Sequence, residues 1–321
     1  MIKKIAVLGA GTMGHGIAET FAMHGYDVNL YDTNEDKLRD AKKEIGEELK
    51  LLVEENFIEP QLVIMTLDRI TLFTDLKQTV KDRDYVIEAV PENLELKQKL
   101  FTQLDEHCPP HTILSSNTSS LNLTNMMEFV SNKRKEQMIV THWYNPGHLM
   151  PLVELSYFGN MPDHLFKEVE QLYHSIKKQT IKVLKDIPGL IANRIQQGIA
   201  REVFSLIEMG AATPNDIDKA LKFGPAFRYA TTGHLEITDL GGLDIWCTVG
   251  DNLLKVMDNS QHANEMIRQK VTEGKLGMKS GEGFYEYKKE DVSAIKERFA
   301  KKLIHQLKAS DYYIDKSPMK I

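Results

Sequence analysis

The apolar run Ile5-Ala6-Val7-Leu8 passes directly into Gly9-Ala10-Gly11-Thr12-Met13-Gly14. The chain continues through an apolar-periodic stretch into a second strand-like run, Asp27-Val28-Asn29-Leu30-Tyr31, closed by Asp32. Few folds accommodate that order. Gly9 permits a tight turn off the first strand, and Gly11 lets the backbone approach a pyrophosphate. Gly14 lets the following helix pack closely with its N-terminus aimed at the phosphates, and Thr12 and Met13 lie in the same turn. Asp32 stands 18 residues beyond Gly14, where a carboxylate can accept both ribose hydroxyls and repel a 2′-phosphate. The spacing therefore predicts a dinucleotide site that takes NAD in preference to NADP. A glycine-rich turn alone is weak support, because such turns are common; strand, turn, helix, strand and terminal acid in that order are not.

At 321 residues the chain exceeds one small core and suits two domains. With 42% hydrophobic and 27% charged residues it reads as a soluble globular protein, and no run approaches the roughly 18 apolar residues of a membrane span. A formal charge of −6 and the lack of a long basic tract argue against nucleic acid or an anionic membrane as a main partner. Lys133-Arg134-Lys135, the densest basic cluster, reads as a solvated loop. Cys108 and Cys247 imply no disulfide framework and a reducing compartment, so the cytoplasm is expected. The apolar run after Met1-Ile2-Lys3-Lys4 is too short for a signal peptide.

Alternating strand and helix patterns over residues 1–186 predict an α/β domain, a Rossmann-type doubly wound and mostly parallel sheet. Strands are expected at 5–8, 28–31, 85–90, 112–115, 138–141 and 152–155. The charged segment 35–56 reads as a helix with Leu38, Ala41, Ile45, Leu49 and Leu52 on one face. After Asp186 the texture changes. Pro188-Gly189 punctuates the chain, and Leu190, Ile191, Ile195, Ile199, Val203, Leu206 and Ile207 then recur at helical spacing. Thr213-Pro214 marks another helix start. Residues 187–321 are thus expected to form an all-α domain, ending in a poorly ordered tail over 310–321. Its many apolar positions suggest a homodimer.

A second informative block is Thr141-His142-Trp143-Tyr144-Asn145-Pro146, followed by Met150-Pro151-Leu152-Val153-Glu154-Leu155. Strand, proline-punctuated loop and strand would bring His142 opposite Glu154. Oxidising a secondary alcohol requires a base for the hydroxyl proton while hydride leaves the carbon, and histidine suits that task. A carboxylate on the other ring nitrogen would fix its tautomer. His107-Cys108-Pro109-Pro110-His111 offers three possible metal ligands but no obvious fourth, and a Pro-Pro loop bounding a helix explains it; no metal is expected. Tyr285 and Lys289 have the spacing used by short-chain dehydrogenases but follow a glycine cluster, and the N-terminal glycine spacing differs.

Together these motifs resemble the 3-hydroxyacyl-CoA dehydrogenase superfamily, which includes 3-hydroxybutyryl-CoA dehydrogenases and the L-carnitine and L-gulonate dehydrogenases. The resemblance spans residues 5 to about 287. It rests on the glycine fingerprint, on Glu88-Ala89-Val90-Pro91-Glu92-Asn93-Leu94-Glu95-Leu96-Lys97, on Ser116-Asn117-Thr118-Ser119-Ser120, on the His142 to Glu154 block, and on Pro188-Gly189-Leu190-Ile191-Ala192-Asn193-Arg194. It implies that His142 is the general base and Glu154 its orienting partner. Ser119 would approach both substrate oxygen and nicotinamide, and Asn193 would position the substrate from the second domain. Glu92, Lys97 and, in Gly277-Met278-Lys279-Ser280-Gly281, Lys279 match positions on the cofactor side. Without the resemblance, Ser119 is a strand-end turn, Asn193 helix surface, and Glu92 and Lys97 ordinary surface charges.

The implied reaction is oxidation of a 3-hydroxyacyl substrate to its 3-oxo form, with 3-hydroxybutyryl-CoA the leading candidate. On the long helix, Glu48 and Glu55 occupy the places where CoA-using members carry a hydroxyl and a lysine, with Glu47 and Glu54 alongside. That acidic face would repel CoA phosphates, although Lys43 or Lys50 could serve instead. The segment from Gly224-Pro225-Ala226-Phe227-Arg228-Tyr229 to Thr232-Gly233-His234-Leu235-Glu236 is more like the carnitine and gulonate branch, so a free small hydroxy acid is the alternative. A non-catalytic NAD-binding protein is the third reading, against which the joint presence of His142, Glu154, Ser119 and Asn193 speaks.

Overall fold

The computed structural model describes residues 2–313. Its first unit is organised around β1 (Lys4–Leu8), β2 (Asp27–Tyr31), β3 (Ile70–Phe73), β4 (Tyr85–Glu88), β5 (Ile113–Ser116), β6 (Met138–Trp143), β7 (Leu152–Ser156) and β8 (Gln179–Val183). These form one sheet in the order β3-β2-β1-β4-β5-β6-β7-β8. Every neighbouring pair is parallel except β6 with β7. This is the doubly wound, mostly parallel Rossmann sheet, and a helical unit follows it. Ile5, Val7, Val86, Ile87 and Leu114 are fully buried, as expected where helices cover both faces of a parallel sheet.

The strand order reverses at β1, flanked by β2 on one side and β4 on the other, which opens a crevice beyond their carboxyl ends. Leu8 lies in register with Tyr31 and with Glu88. Gly9, Asp32 and Ala89 therefore leave the sheet at one edge.

Helix α1 (Gly14–Met23) connects β1 to β2, and α2 (Glu35–Glu54) follows β2. The Asn34 side chain accepts from the Asp36 and Lys37 amides at 2.8 and 3.3 Å, and Glu35 and Asp36 complement the helix dipole. Leu38, Ala41, Ile45, Leu49 and Leu52 form the buried stripe, as the sequence periodicity predicts. The helix stops at Glu54, and Asn56 follows with φ 52°, a left-handed conformation that ends helical continuation.

Strands β3 and β8 are absent from the sequence reading. Both lie at sheet edges and are only four and five residues long, and apart from Ile70 and Val183 their side chains are partly or fully exposed, so neither carries a long apolar run. The basic cluster is also corrected. Arg134 is not solvated: it is 4% exposed, with its guanidinium on Asp105 at 3.2 Å and on the Thr112 carbonyl at 2.6 Å.

The chain divides into two compact units between Ile191 and Ala192. The change of texture read at 186 thus precedes the division, because residues up to Ile191 still bond into the first unit. The Ile191 amide donates to Glu154 Oε1 at 2.9 Å.

In the second unit the main helices are Ala192–Glu208, Pro214–Phe223, His234–Gly241, Leu243–Leu253, Glu265–Thr272 and Val292–Tyr313. Thr213 caps its helix by accepting from the Asp216 amide at 3.3 Å, with proline in the first turn. The tail expected from residue 310 is in part a correction: helix continues to Tyr313, and the Ser310 hydroxyl donates to the Leu307 carbonyl at 2.7 Å. Residues 314–321 lie outside the described residues. Among those described, no helix is long and apolar enough to cross a membrane.

Candidate active site

Two of the fingerprint glycines are locked by packing, and one faces free space. Gly9 takes φ 104°, and a Cβ there would meet the Ala89 carbonyl oxygen at 2.6 Å. A Cβ on Gly14 would lie 1.7 Å from the Gly9 oxygen. One on Gly11 would meet no protein atom within 4 Å, which is the space a pyrophosphate needs. The α1 N-terminus carries no side-chain cap and no acidic residue in its first turn, so nothing from the protein competes with an anion for its amides. Thr12 and Met13 form the turn just before it. Asp32 closes the cradle: Oδ2 accepts from the Ala10 amide and Oδ1 from the Asn34 amide, both at 3.0 Å. These residues fit a dinucleotide.

Beside the cradle, one carboxylate organises the turn after β5. Glu92 Oε1 accepts from the hydroxyls of Thr118 at 2.6 Å and Ser120 at 2.8 Å, and from the amides of Ser119 and Ser120 at 3.2 and 3.0 Å. Its other oxygen meets Lys97 Nζ at 2.7 Å. Burial pushes this carboxyl up, but the Lys97 and Thr118 hydrogen bonds, the Lys97 charge and the Ser120 hydroxyl outweigh it and hold it down at about 2. Lys97 is 1% exposed and also lies 3.2 Å from the buried Glu88 Oε2, so its ammonium is enclosed by two carboxylates. Lys97 thus bonds Glu92, which in turn holds the turn after β5. Ser119, half-buried, is thereby fixed at its backbone.

His142 and Glu154 are direct cross-strand partners in the antiparallel β6–β7 pair. Antiparallel pairing sets opposed Cβ atoms about 5 Å apart on one face, within reach for an imidazole and a carboxylate. His142 Nδ1 lies 2.7 Å from Glu154 Oε2, with His142 6% and Glu154 0% exposed. Because Nδ1 faces a carboxylate it carries the proton, which leaves Nε2 as the acceptor. Glu154 is itself held, since its Oε1 accepts from the Ile191 amide. The sequence reading left two supports unassigned. Asn117 Oδ1 accepts from the Trp143 amide at 2.8 Å, tying the Ser119 turn to the strand of His142. Lys178 Nζ donates to the carbonyls of Gly147 at 2.7 Å and Met150 at 2.8 Å, clasping the loop between β6 and β7. Asn117 stood inside a quoted motif, but Lys178 carries no local signal and is read only from the folded contacts.

Asn193 lies on the first turn of helix Ala192–Glu208, and Lys279 is exposed in the turn closed by the Gly277–Glu282 bridge; both belong to the second unit. Tyr285 bonds Asp218 Oδ2 at 2.6 Å. His111 Nε2 meets Asp84 Oδ1 at 3.2 Å, while burial pushes the Cys108 thiol up to about 12.

A dinucleotide cradle and a carboxylate-oriented histidine on one sheet define an oxidoreductase of the nicotinamide class. The chain matches the 3-hydroxyacyl-CoA dehydrogenase NAD-binding domain over residues 4–187 and the C-terminal domain of the same enzymes over residues 189–287. It is 36% identical to the mitochondrial hydroxyacyl-coenzyme A dehydrogenase of Rattus norvegicus, over 90% of this chain and 92% of that protein. It is 31% identical to 5-formyl-3-hydroxy-2-methylpyridine 4-carboxylate 5-dehydrogenase of Mesorhizobium japonicum, over 95% of this chain and 97% of that one. A solved NAD+-dependent dehydrogenase of that pyridine carboxylate superposes with a TM-score of 0.88 at 30% identity, covering 96% of this chain and 98% of the other. The chain belongs to the 3-hydroxyacyl-CoA dehydrogenase family and is an NAD-dependent oxidoreductase.

Asp32→Gly is expected to weaken NAD binding and erode discrimination against NADP, since it removes an acceptor for two hydroxyls together with a repulsive charge. The check is kcat/KM with each cofactor. Equal efficiency with NAD and NADP in the unmodified enzyme would remove Asp32 from this role.

Proposed function

We propose that this enzyme oxidises the 3-hydroxyl of a short 3-hydroxyacyl-CoA, of 3-hydroxybutyryl-CoA size, to the ketone. The observation that carries the reading is the buried, strand-paired contact of His142 with Glu154 at 2.7 Å. His142 Nε2 takes the hydroxyl proton, and the carboxylate stabilises the imidazolium that results. Bound NAD supplies the hydride acceptor. Ser119 hydrogen-bonds the substrate oxygen as it changes from alcohol to carbonyl, and the family resemblance assigns Asn193 a substrate-positioning role. Glu92 positions the Ser119 turn, Lys97 positions Glu92, and Lys279 takes a cofactor contact by the same resemblance.

A free, compact hydroxy acid is the second reading. The observation favouring it is the TM-score of 0.88 to the pyridine-carboxylate dehydrogenase, against 0.72 to a 3-hydroxybutyryl-CoA dehydrogenase from Ralstonia eutropha. The CoA reading gains from the placement of Glu48, which lies 3.3 Å from His15 Nε2 and is turned into the packing. Glu47 meets Lys43 at 3.7 Å. The α2 face is therefore less repulsive than the bare sequence implies. A panel of substrates decides between the readings. Acetoacetyl-CoA should be reduced by NADH far more efficiently than free acetoacetate, with the preference falling as salt rises. Poor turnover of every thioester alongside good turnover of a small hydroxy acid favours the second reading; no turnover of either, with NAD still bound, leaves a non-catalytic NAD-binding protein.

We also infer a homodimer through the second unit. Helix Leu243–Leu253 presents Leu243, Ile245, Trp246, Val249 and Leu253 at 36–65% exposure, an apolar surface that a second copy would cover. Light scattering should give twice the chain mass, and Leu253→Glu with Val249→Glu should shift it toward the monomer. A monomeric unmodified protein at micromolar concentration sinks this assembly. A reducing cytoplasm is the proposed setting, since two cysteines give no disulfide framework.

A further inference from the structure

Away from the dehydrogenase residues, Glu19 of α1, Glu48 of α2 and His148 of the β6–β7 loop converge. One ligand atom from each lies within 4.8 Å of the others. Glu19 is 0% exposed, yet neither of its carboxylate oxygens has a hydrogen-bond partner. Glu48 Oε2 and His148 Nδ1, also shielded from solvent, have none either. Four orphaned polar atoms on three converging side chains are unusual, because buried polar atoms are normally satisfied.

Apart from a proton shared between Glu19 and Glu48, the neighbouring groups do not relieve them. Lys178 directs its hydrogen bonds to the Gly147 and Met150 carbonyls. His15 Nε2 reaches only Glu48 Oε1, at 3.3 Å, and its Nδ1 is held by the Gly11 carbonyl at 2.9 Å. His148 Nδ1 stands 3.6 Å from Glu48 Oε1, beyond hydrogen-bond range.

We propose that Glu19, Glu48 and His148 form a structural site for a divalent transition-metal ion, with zinc the best match. The imidazole is a borderline donor beside two hard carboxylate oxygens, a mixed set that suits zinc better than magnesium or calcium, which prefer all-oxygen sites; a water would complete four-coordination. Zinc bonds of about 2.1 Å place two donors at most about 4.2 Å apart, so small side-chain torsions close the set. His15 serves as the outer partner that orients Glu48, as second-layer groups commonly orient metal ligands.

The site has a structural consequence. Gly147 packs on α1, and a Cβ on Gly16 would come within 3.1 Å of the His148 amide. One ion would thus fasten the helix behind the dinucleotide cradle to the loop that joins the strands of His142 and Glu154. The competing occupant is a proton shared between Glu19 and Glu48.

The test uses the full chain stripped with a chelator, then titrated with zinc and followed by elemental analysis and thermal unfolding. Unmodified protein should bind roughly one equivalent tightly, with unfolding raised by about 5–10 °C at zinc near 100 times Kd. Glu19→Gln, whose side chain is wholly internal, should lose that equivalent and the temperature rise while surface histidines and Cys247 are untouched. Glu48→Gln is the second variant, should the first fold poorly. His15→Ala should weaken zinc roughly 10- to 100-fold. The proposal is overturned if unmodified protein takes up no tight equivalent and does not shift, or if Glu19→Gln and Glu48→Gln bind zinc as the parent does. A Glu19→Gln protein as stable as the zinc-treated parent, with no metal in either, assigns the cluster to the shared proton instead.

Discussion

Replacing His142 by Gln is expected to lower kcat by about 10² to 10⁴, the usual worth of a positioned general base, while NAD affinity changes little. The two effects separate because His142 lies on β6, apart from the cradle at the end of β1, and glutamine keeps much of the volume while losing the basic nitrogen. Glu154→Gln should also reduce kcat, since an amide presents a donor as well as an acceptor to Nδ1 and no longer fixes the tautomer. The pair acts as a unit, so the double variant should cost less than the sum. Pre-steady-state hydride transfer and NAD titration on each variant provide the measurement. Near-normal turnover in His142→Gln places the base elsewhere and ends this mechanism.

The second large effect separates two glycines of one motif. Gly14→Ala puts a Cβ where the Gly9 oxygen stands, at 1.7 Å, and backbone on both sides leaves no easy relief. Overpacking of this kind costs about 3 kcal/mol or more, which for a domain of this size lowers Tm by roughly 5–10 °C. Gly11→Ala meets nothing within 4 Å and takes no positive φ. Its Tm should stay within about 2 °C of the parent, because exposed substitutions rarely exceed ±0.5 kcal/mol. Its NAD dissociation constant should nevertheless rise about tenfold or more, as a methyl group intrudes where the pyrophosphate approaches. Calorimetry and nucleotide titration on the two variants check the contrast. If Gly11→Ala binds NAD normally, the pyrophosphate lies elsewhere.

Much of the site was legible because its parts are local. The fingerprint, Asp32 and the His142 to Glu154 block each occupy a short stretch, and the spacing of strand, loop and strand is enough to bring the last two face to face. The α2 stripe was legible for the same reason, since one periodic face declares which side is buried. Edge strands β3 and β8 were not, because their burial is partial and their partners are remote in sequence. Lys133-Arg134-Lys135 misled for a related reason: the buried destination of Arg134, among Asp105 and the carbonyls around Thr112, is assembled from distant segments.

From the sequence alone follow the cofactor class, the sheet type and the facing of His142 with Glu154, because backbone geometry and short-range spacing dictate them. The fate of isolated charges is decided only in three dimensions. Lys97 reads as a surface charge until Glu88 and Glu92 enclose it, and Glu48 reads as a repulsive face until α1 and the β6–β7 loop surround it. A charged side chain takes its meaning from the groups that replace its water, and those come from remote parts of the chain.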